Sequence, residues 1–408
     1  MARWRVYLKV FDDDGVYQDD YQEVTSDVVA IGNPSQAIDN NDFNVGIIRN
    51  NGFQLTLRND HGHYSDVDSL QSIFRFSRKN VLVKITWDFR NYDLICGFFT
   101  CGTEPLGGEY TVFEGLINEV TTTANIITQQ AIFSVLGYDS LIDSIEVPYS
   151  SISNGDLFSS LIKDCIDQSP FNALISVDAS NITPGTDLAA DDVTSYENAV
   201  VGDVLPDLLL AANSVLYVKD NTAYVTDRTA SATSQFTFYG QGTNSGIENI
   251  INIPKFRDGM NRVFNYWTWA DTTTRSRDTT SIDKYGIRKK EMKLAIINDG
   301  STSKIQSILD ANKTEFAFPK IELELETPIW YDVLALNILD KVNIDYPTLY
   351  FPYDGGDLPR YGLTIYDGAA RYPFEQWALT IDVSTDFKIM SKKIDTKKQT
   401  ITFGLREA

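Results

Sequence analysis

Residues 202–228 read GDVLPDLLLAANSVLYVKDNTAYVTDR. Leu205, Leu208, Leu209 and Ala212 recur at the spacing of one helical face, and 216–218 and 223–226 follow as short β-branched and aromatic strands joined at Asp220-Asn221. The spacing predicts a helix running into a hairpin, a small unit with one apolar side that must pack on something larger. Asp203 is the candidate N-cap. Pro206 fits the first turn, where its missing N–H has no bond to make.

Working outward, Asn154 or Asp156 can cap an upstream helix whose apolar stripe is Leu157, Phe158, Leu161, Ile162, Cys165 and Ile166, stopped by Pro170. Residues 176–200, rich in Asp, Ser, Thr and Asn, read as a long loop, which makes 149–230 an α+β domain. Before it, 1–148 is strands and turns. Trp4, Val6, Leu8 and Val10 alternate with polar residues, as do Phe53, Leu55 and Leu57, while Val81, Val83, Ile85 and Trp87 alternate with Lys84 and Thr86 facing away. Strands are also predicted at 110–120 and 126–136, with 121–125 as a link. Many short strands with little helix imply a barrel or sandwich.

Downstream, Phe236 and Phe238, then Val263, Asn265 and Trp267, are strand-like, and 271–283 is a charged link. A helix is predicted over 304–312 with Ile305, Ile308 and Leu309 inward. Ile321, Leu323 and Leu325 then alternate with Glu322, Glu324 and Glu326, so one strand face is lined by acids and is expected to meet water or a lumen. Residues 346–374 form a Pro- and Tyr-rich insertion, after which Leu379, Ile381 and Val383 resume alternation and 400–405 is the last strand. No internal repeat of solenoid or propeller length is evident.

Composition bounds the function. With 408 residues, 43% hydrophobic and 22% charged, the chain is ordinary globular material of several domains. No apolar run spans a bilayer, and the start reaches Asp12-Asp13-Asp14 before a signal-peptide core could form, so neither membrane insertion nor cleaved export is expected. Cys96, Cys101 and Cys165 are too few and odd for a disulfide scaffold, although Cys96 and Cys101 could meet across a tight hairpin. A net charge of -21 argues against nucleic-acid binding by counterion release and leaves open a surface past which nucleic acid slides.

Candidate chemistry is thin. Asp60-His61-Gly62-His63 with Asp66 offers metal-ligand types, but the central glycine points to an exposed turn. Asp12-Asp13-Asp14-Gly15 fails calcium-loop spacing, since Tyr21 falls where a bidentate acid is needed. Ser160/Lys163, Ser281/Lys284 and Ser301/Lys304 share the Ser-x-x-Lys spacing without its companion segments. No catalytic, metal or cofactor site is expected, and paired carboxylates among 56 acids stay open. Tyr350, Phe351, Tyr353, Tyr361 and Tyr366 in the insertion are candidate protein-contact residues, with packing within their own domain and, behind both, stacking on sugars as the alternatives.

Several segments, in order, resemble the baseplate or tail hub proteins of long-tailed bacteriophages. They are Leu55-Thr56-Leu57-Arg58-Asn59-Asp60-His61-Gly62-His63-Tyr64-Ser65, Phe113-Glu114-Gly115-Leu116-Ile117, the 202–228 unit, Asn261-Arg262-Val263, 281–286, Asp340-Lys341-Val342-Asn343-Ile344 and 400–405. The resemblance implies a mainly β protein with an α+β insert: a tail-tube-like barrel at 1–148, the α+β domain at 149–230, a β linker, accessory domain or part of a second barrel at 231–300, and a second barrel at 301–408 interrupted at 346–374. It further implies a virion protein assembled in the host cytoplasm as a homotrimer, whose two barrels per subunit form a pseudo-sixfold ring. Expected partners are the tail-tube or distal-tail protein, a tail-tip, central-spike or fibre protein, and the tape-measure protein. DNA would pass without specific binding, along a channel for which Glu322, Glu324 and Glu326 are candidate lining residues. No needle, lysozyme or peptidase segment is recognised, so no cell-puncturing activity is expected. The competing readings are a six-copy distal-tail adaptor and a glycan-binding or glycan-degrading β protein.

Overall fold

The computed structural model describes residues 4–408 except 41, 69, 90–107, 125–128, 168–173, 220, 230–232, 241–248, 258 and 346–385. Alternation builds its first sheet: in Trp4–Lys9 and Phe53–Arg58 every second side chain is buried. Seven strands lie in the order Gln22–Glu23, Trp4–Lys9, Leu82–Asp88, Glu109–Ala124, Gln129–Gly137, Phe53–Arg58, Val28–Ile31. The two outer strands are neighbours in the chain, separated only by residues 24–27, a span of roughly 17 Å at full extension. The sheet must therefore curl until its edges approach. Val24 N–H donates to Val6 O at 2.9 Å on one side, and Gly32 N–H to Gln54 O at 2.8 Å on the other.

A second curled sheet carries Phe236–Tyr239, Lys341–Asp345, Asp386–Asp395, Thr400–Glu407, Glu322–Pro328 and Asn252–Arg257 in that order. Its closure is also local: Ile250 N–H donates to Tyr239 O at 3.2 Å while Ile251 N–H donates to Glu326 O at 2.8 Å. Four strands of each sheet match one for one. Phe53–Arg58, Leu82–Asp88, Glu109–Ala124 and Gln129–Gly137 correspond to Glu322–Pro328, Lys341–Asp345, Asp386–Asp395 and Thr400–Glu407, with the same chain order, spatial order and antiparallel pairing. A fifth strand, Val28–Ile31 or Asn252–Arg257, adds antiparallel to the first of each set. The two halves share one apolar core, running from Val6, Leu55, Trp87 and Phe133 to Leu325, Ile344, Phe387 and Phe403.

The hairpin Ser35–Asn40 with Val45–Asn51 leaves the first sheet and joins the second, Ala37 pairing with Ser391. Its other strand pairs in parallel with Ser214–Lys219, which continues to Thr222–Asp227 and Ser176–Thr183. Hydrogen bonding is thus continuous across residue 148. Helices Phe158–Asp167 and Val201–Ala211 cover this extension, burying Phe158, Leu161, Ile162, Leu205, Leu208 and Leu209 against Val45, Ile47 and Leu216. Each such side chain contributes about 1.5–3 kcal/mol when fully buried. Thr302–Phe316 joins the same core over the small sheet of Tyr266–Trp269, Arg275–Arg277 and Lys289–Met292 through Trp267, Trp269, Ile305 and Ile308.

Several local expectations are corrected. Residues 176–183 are a strand: polar and largely exposed, it is held at a sheet edge by parallel pairing with Thr222–Asp227, so no apolar alternation marks it. Thr121 to Ala124 continue the strand Glu109–Ala124. The helix at 158 is capped from afar, Asp187 Oδ1 accepting from Ser159 N–H at 2.9 Å, while Asn154 and Asp156 accept from Val193 and Ser153 instead. Leu157 is exposed. The helix at 201 is preceded by Val200 with no side-chain cap, Asp203 sits in its first turn, and Pro206 falls in the second, where it deletes the bond to the Gly202 carbonyl. Thr86 is buried between strands. The 271–283 link contains Arg275–Arg277 and the start of helix Thr279–Tyr285, and the later helix extends to Phe316. Cys96, Cys101, Pro170, Asp220 and 346–385 lie outside the described residues.

Candidate functional site

The acidic row on Glu322–Pro328 is the best-defined candidate surface. Leu323 and Leu325 point into the shared core, which forces Glu322, Glu324 and Glu326 onto the opposite face. There each glutamate meets a partner. Arg262 Nη1 lies 2.6 Å from Glu322 Oε1, Lys255 Nζ lies 2.8 Å from Glu324 Oε1, and Thr400 Oγ1 donates to Glu326 Oε1 at 2.9 Å. Strand register sets one of these matches, Lys255 pairing with Glu324, and places Arg257 and Arg406 on either side of Glu322; Arg262 reaches in from the turn Met260–Arg262. The row is therefore a charge-matched surface rather than a run of bare carboxylates. A cleft of about 180 Å³ opens beside it, lined by Lys255, Arg257, Arg262, Glu322, Glu324 and Ser391 among others.

Next to the row lies a buried ionic cluster that no sequence pattern announced. Arg228 and Arg406 are each 3% exposed and both stack over Phe316, at 5.6 and 4.9 Å from its ring centre. Glu315 faces Lys320 at 3.1 Å and Arg406 at 3.6 Å. These cations pull the Glu315 carboxyl below its ordinary range against the opposing effect of burial. Arg406 follows the buried Leu405 on the opposite face of its strand, where Glu315 and Phe316 at the end of Thr302–Phe316 pack against it, and that packing is not visible in local sequence.

A cavity of about 350 Å³ lies between the long strand Glu109–Ala124 and the joining hairpin, lined by Gln36, Asn50, Glu109, Glu114, Lys219 and Lys392 among others. Lys392 is buried there, donating to Leu334 O at 2.6 Å and Leu336 O at 3.0 Å at the end of helix Tyr331–Ala335. Burial pushes its ammonium down to about 7. The two carbonyls give the charged form its hydrogen bonds.

The other singled-out motifs have structural duties. Asn59 is buried and holds the histidine loop by accepting from Tyr64 N–H at 2.8 Å and donating to Ser65 Oγ at 3.2 Å, while Gly62 turns the chain at φ +71° and both histidines are exposed. Asp12 Oδ1 accepts from the Asp14 and Val16 amides in the first hairpin turn. Asn265, fully buried, bonds Ser281 Oγ, Gly286 O and Arg288 N–H, and Ser281 Oγ donates to Ala317 O, so the 261–286 motifs knit one corner. Lys163 pairs with Asp167, which favours its charged form, and Lys304 pairs with Asp191. Among the described residues no group of three or more His, Cys, Asp or Glu side chains could hold a metal ion. Tyr350, Phe351, Tyr353, Tyr361 and Tyr366 lie outside them.

The paired curled sheets with an α+β extension define a fold found in tail proteins. The tail protein from Neisseria meningitidis MC58 is similar over 99% of this chain and 96% of its own, with TM-score 0.57 and 9% identity. The 43 kDa tail protein of prophage MuSo2 from Shewanella oneidensis is similar over 98% of both chains, with TM-score 0.55 and 10% identity. No protein-family model and no curated protein matches the sequence.

Proposed function

We propose that this chain is a structural tail protein of a phage-type particle, and that it serves as a trimeric hub. The observation that carries the reading is the duplicated sheet: one chain supplies two matching curled sheets, so three copies supply six equivalent positions. Six such positions can meet a sixfold tail tube or distal-tail ring, while the remainder of each subunit keeps threefold symmetry for a tip, spike or fibre protein. The likeness in fold to tail proteins along the whole chain supports the same reading.

In this reading the ring surrounds the DNA path, with the tape-measure protein as an earlier occupant. Three copies carry -63 formal charges, three times -21, which disfavours retention of DNA. Glu322, Glu324 and Glu326 remain the proposed lining. Their partners soften the field they present, so E322Q/E324Q/E326Q is expected to leave assembly intact and slow ejection modestly; unchanged ejection kinetics would place the lining elsewhere. Tyr350, Phe351, Tyr353, Tyr361 and Tyr366 remain proposed contacts to neighbouring tail proteins.

Rotational symmetry in electron micrographs of the purified protein or of particles containing it tests the hub. A threefold ring with an open lumen supports it. A sixfold ring would assign the distal-tail adaptor role instead, and a monomer that binds glycan would remove the chain from the tail axis.

A further inference from the structure

We propose that Arg228, Lys388 and Arg406 hold a single small monovalent anion of the chloride class inside the fold. The three line a cavity of about 10 Å³ with Asn44, Glu315, Leu339, Met390 and Glu407, space for one particle near the size of a water molecule. Arg228 uses Nη1 on Phe43 O and Asn312 Oδ1 and Nη2 on Ala311 O, which leaves Nε without a partner in the protein. Arg406 has Nη2 toward Glu315, while its Nε and Nη1 are both unpartnered. Two almost fully buried guanidinium groups thus leave three donor nitrogens, Arg228 Nε, Arg406 Nε and Arg406 Nη1, unused beside one small void.

Charge points to an anion rather than to water. The lining cations number three, Arg228, Lys388 and Arg406, and the lining carboxylates two, Glu315 and Glu407. Those carboxylates already have claims on them: Glu315 accepts from Lys320 Nζ at 3.1 Å and Asn44 Nδ2 at 3.4 Å, and Glu407 accepts from Ile321 N–H at 3.0 Å. Nearby Asp227 is engaged by Asn213 and Thr229. One negative charge would balance the lining and supply the acceptor that the spare guanidinium donors lack. The bound ion would tie Thr222–Asp227, through the adjoining Arg228, to Thr400–Glu407 and Asp386–Asp395, and so join the α+β extension to the second curled sheet.

Thermal unfolding of the full chain in sodium chloride, sodium bromide and sodium gluconate at equal ionic strength tests the site. Both halides are expected to raise Tm saturably over gluconate, by a few degrees, because an ion bound only by the folded state stabilises it by mass action. Arg406→Gln should abolish the difference between salts. Crystals of the wild-type chain grown in bromide give an independent readout, with an anomalous peak expected at hydrogen-bonding distance from both arginines; this decides the matter if the variant fails to fold. Equal Tm in chloride and gluconate, a halide effect that survives in Arg406→Gln, or no bromide peak between the arginines overturns the proposal.

Discussion

The two curled sheets share strand order and pairing sense but fill their interiors differently. The first is aromatic: Trp4 and Trp87 meet edge to face at 4.5 Å, and Tyr64, Phe74 and Phe133 form a cluster beside them. The second relies on Leu323, Leu325, Val342, Ile344, Ile389 and Ile401 with Phe238, Phe387 and Phe403, and concentrates buried charge on its outer face. They also part at one edge, where Trp4–Lys9 runs antiparallel to Leu82–Asp88 but Phe236–Tyr239 runs parallel to Lys341–Asp345. Topology here constrains where apolar side chains alternate and leaves their identity free. One half has an aromatic core and the other is a platform that carries the hairpin and the ionic cluster.

The sharpest way to break the comparison is to empty one core and watch the other. Trp87→Ala should cost about 3–5 kcal/mol, and Phe403→Ala a similar amount. Because both lie in one continuous core, each should shift a single denaturant transition. Two separated transitions would show that the halves unfold independently.

A second contrast concerns charge. Lys392 has a folded-state value near 7, below the 10.5 of an unburied lysine. The unfolded chain therefore binds more protons between pH 7 and 10.5, so this group's contribution to stability is present above 10.5 and lost as pH falls through 7. Lys392→Met should flatten that part of the stability-versus-pH curve; an unaltered slope would show that Lys392 is not the titrating group. Smaller effects follow from the caps. Asp187→Ala, removing the long-range cap on Phe158–Asp167, should cost about 1 kcal/mol in urea unfolding. Smallest of all, a double-mutant cycle on Lys255 and Glu324, 45% and 39% exposed, should give a coupling of about 0.5 kcal/mol or less. The better-buried pair Arg262 and Glu322 should exceed it.

Strands whose two faces differ were legible in the sequence: Trp4–Lys9, Phe53–Arg58, Glu322–Pro328 and Thr400–Glu407 all announce themselves by alternation, and Phe158–Asp167 by its stripe. The mainly β reading with an α+β part followed from these. Strand Ser176–Thr183 was not legible, because an exposed edge needs only backbone pairing. The cap by Asp187 was hidden for a different reason: it lies 28 residues from the amide it serves. The duplication was implied by the family resemblance and not by any repeat of residues, because matching strands share a pattern only: Phe53 and Leu55 face the core as Leu323 and Leu325 do. At the candidate surface the alternation of glutamates was visible, whereas their pairing with Lys255, Arg262 and Thr400 depends on how distant segments come together.

The hairpin Ser35–Asn40 with Val45–Asn51 has a mechanical consequence. It departs from the first curled sheet, is hydrogen-bonded into the second, and lends its other edge to the α+β extension. Rotating the α+β extension against the second curled sheet would shear a row of backbone hydrogen bonds as well as slide packed side chains. Such a subunit resists twist the way a keyed shaft does, passing torque from one face to the other instead of dissipating it between its parts.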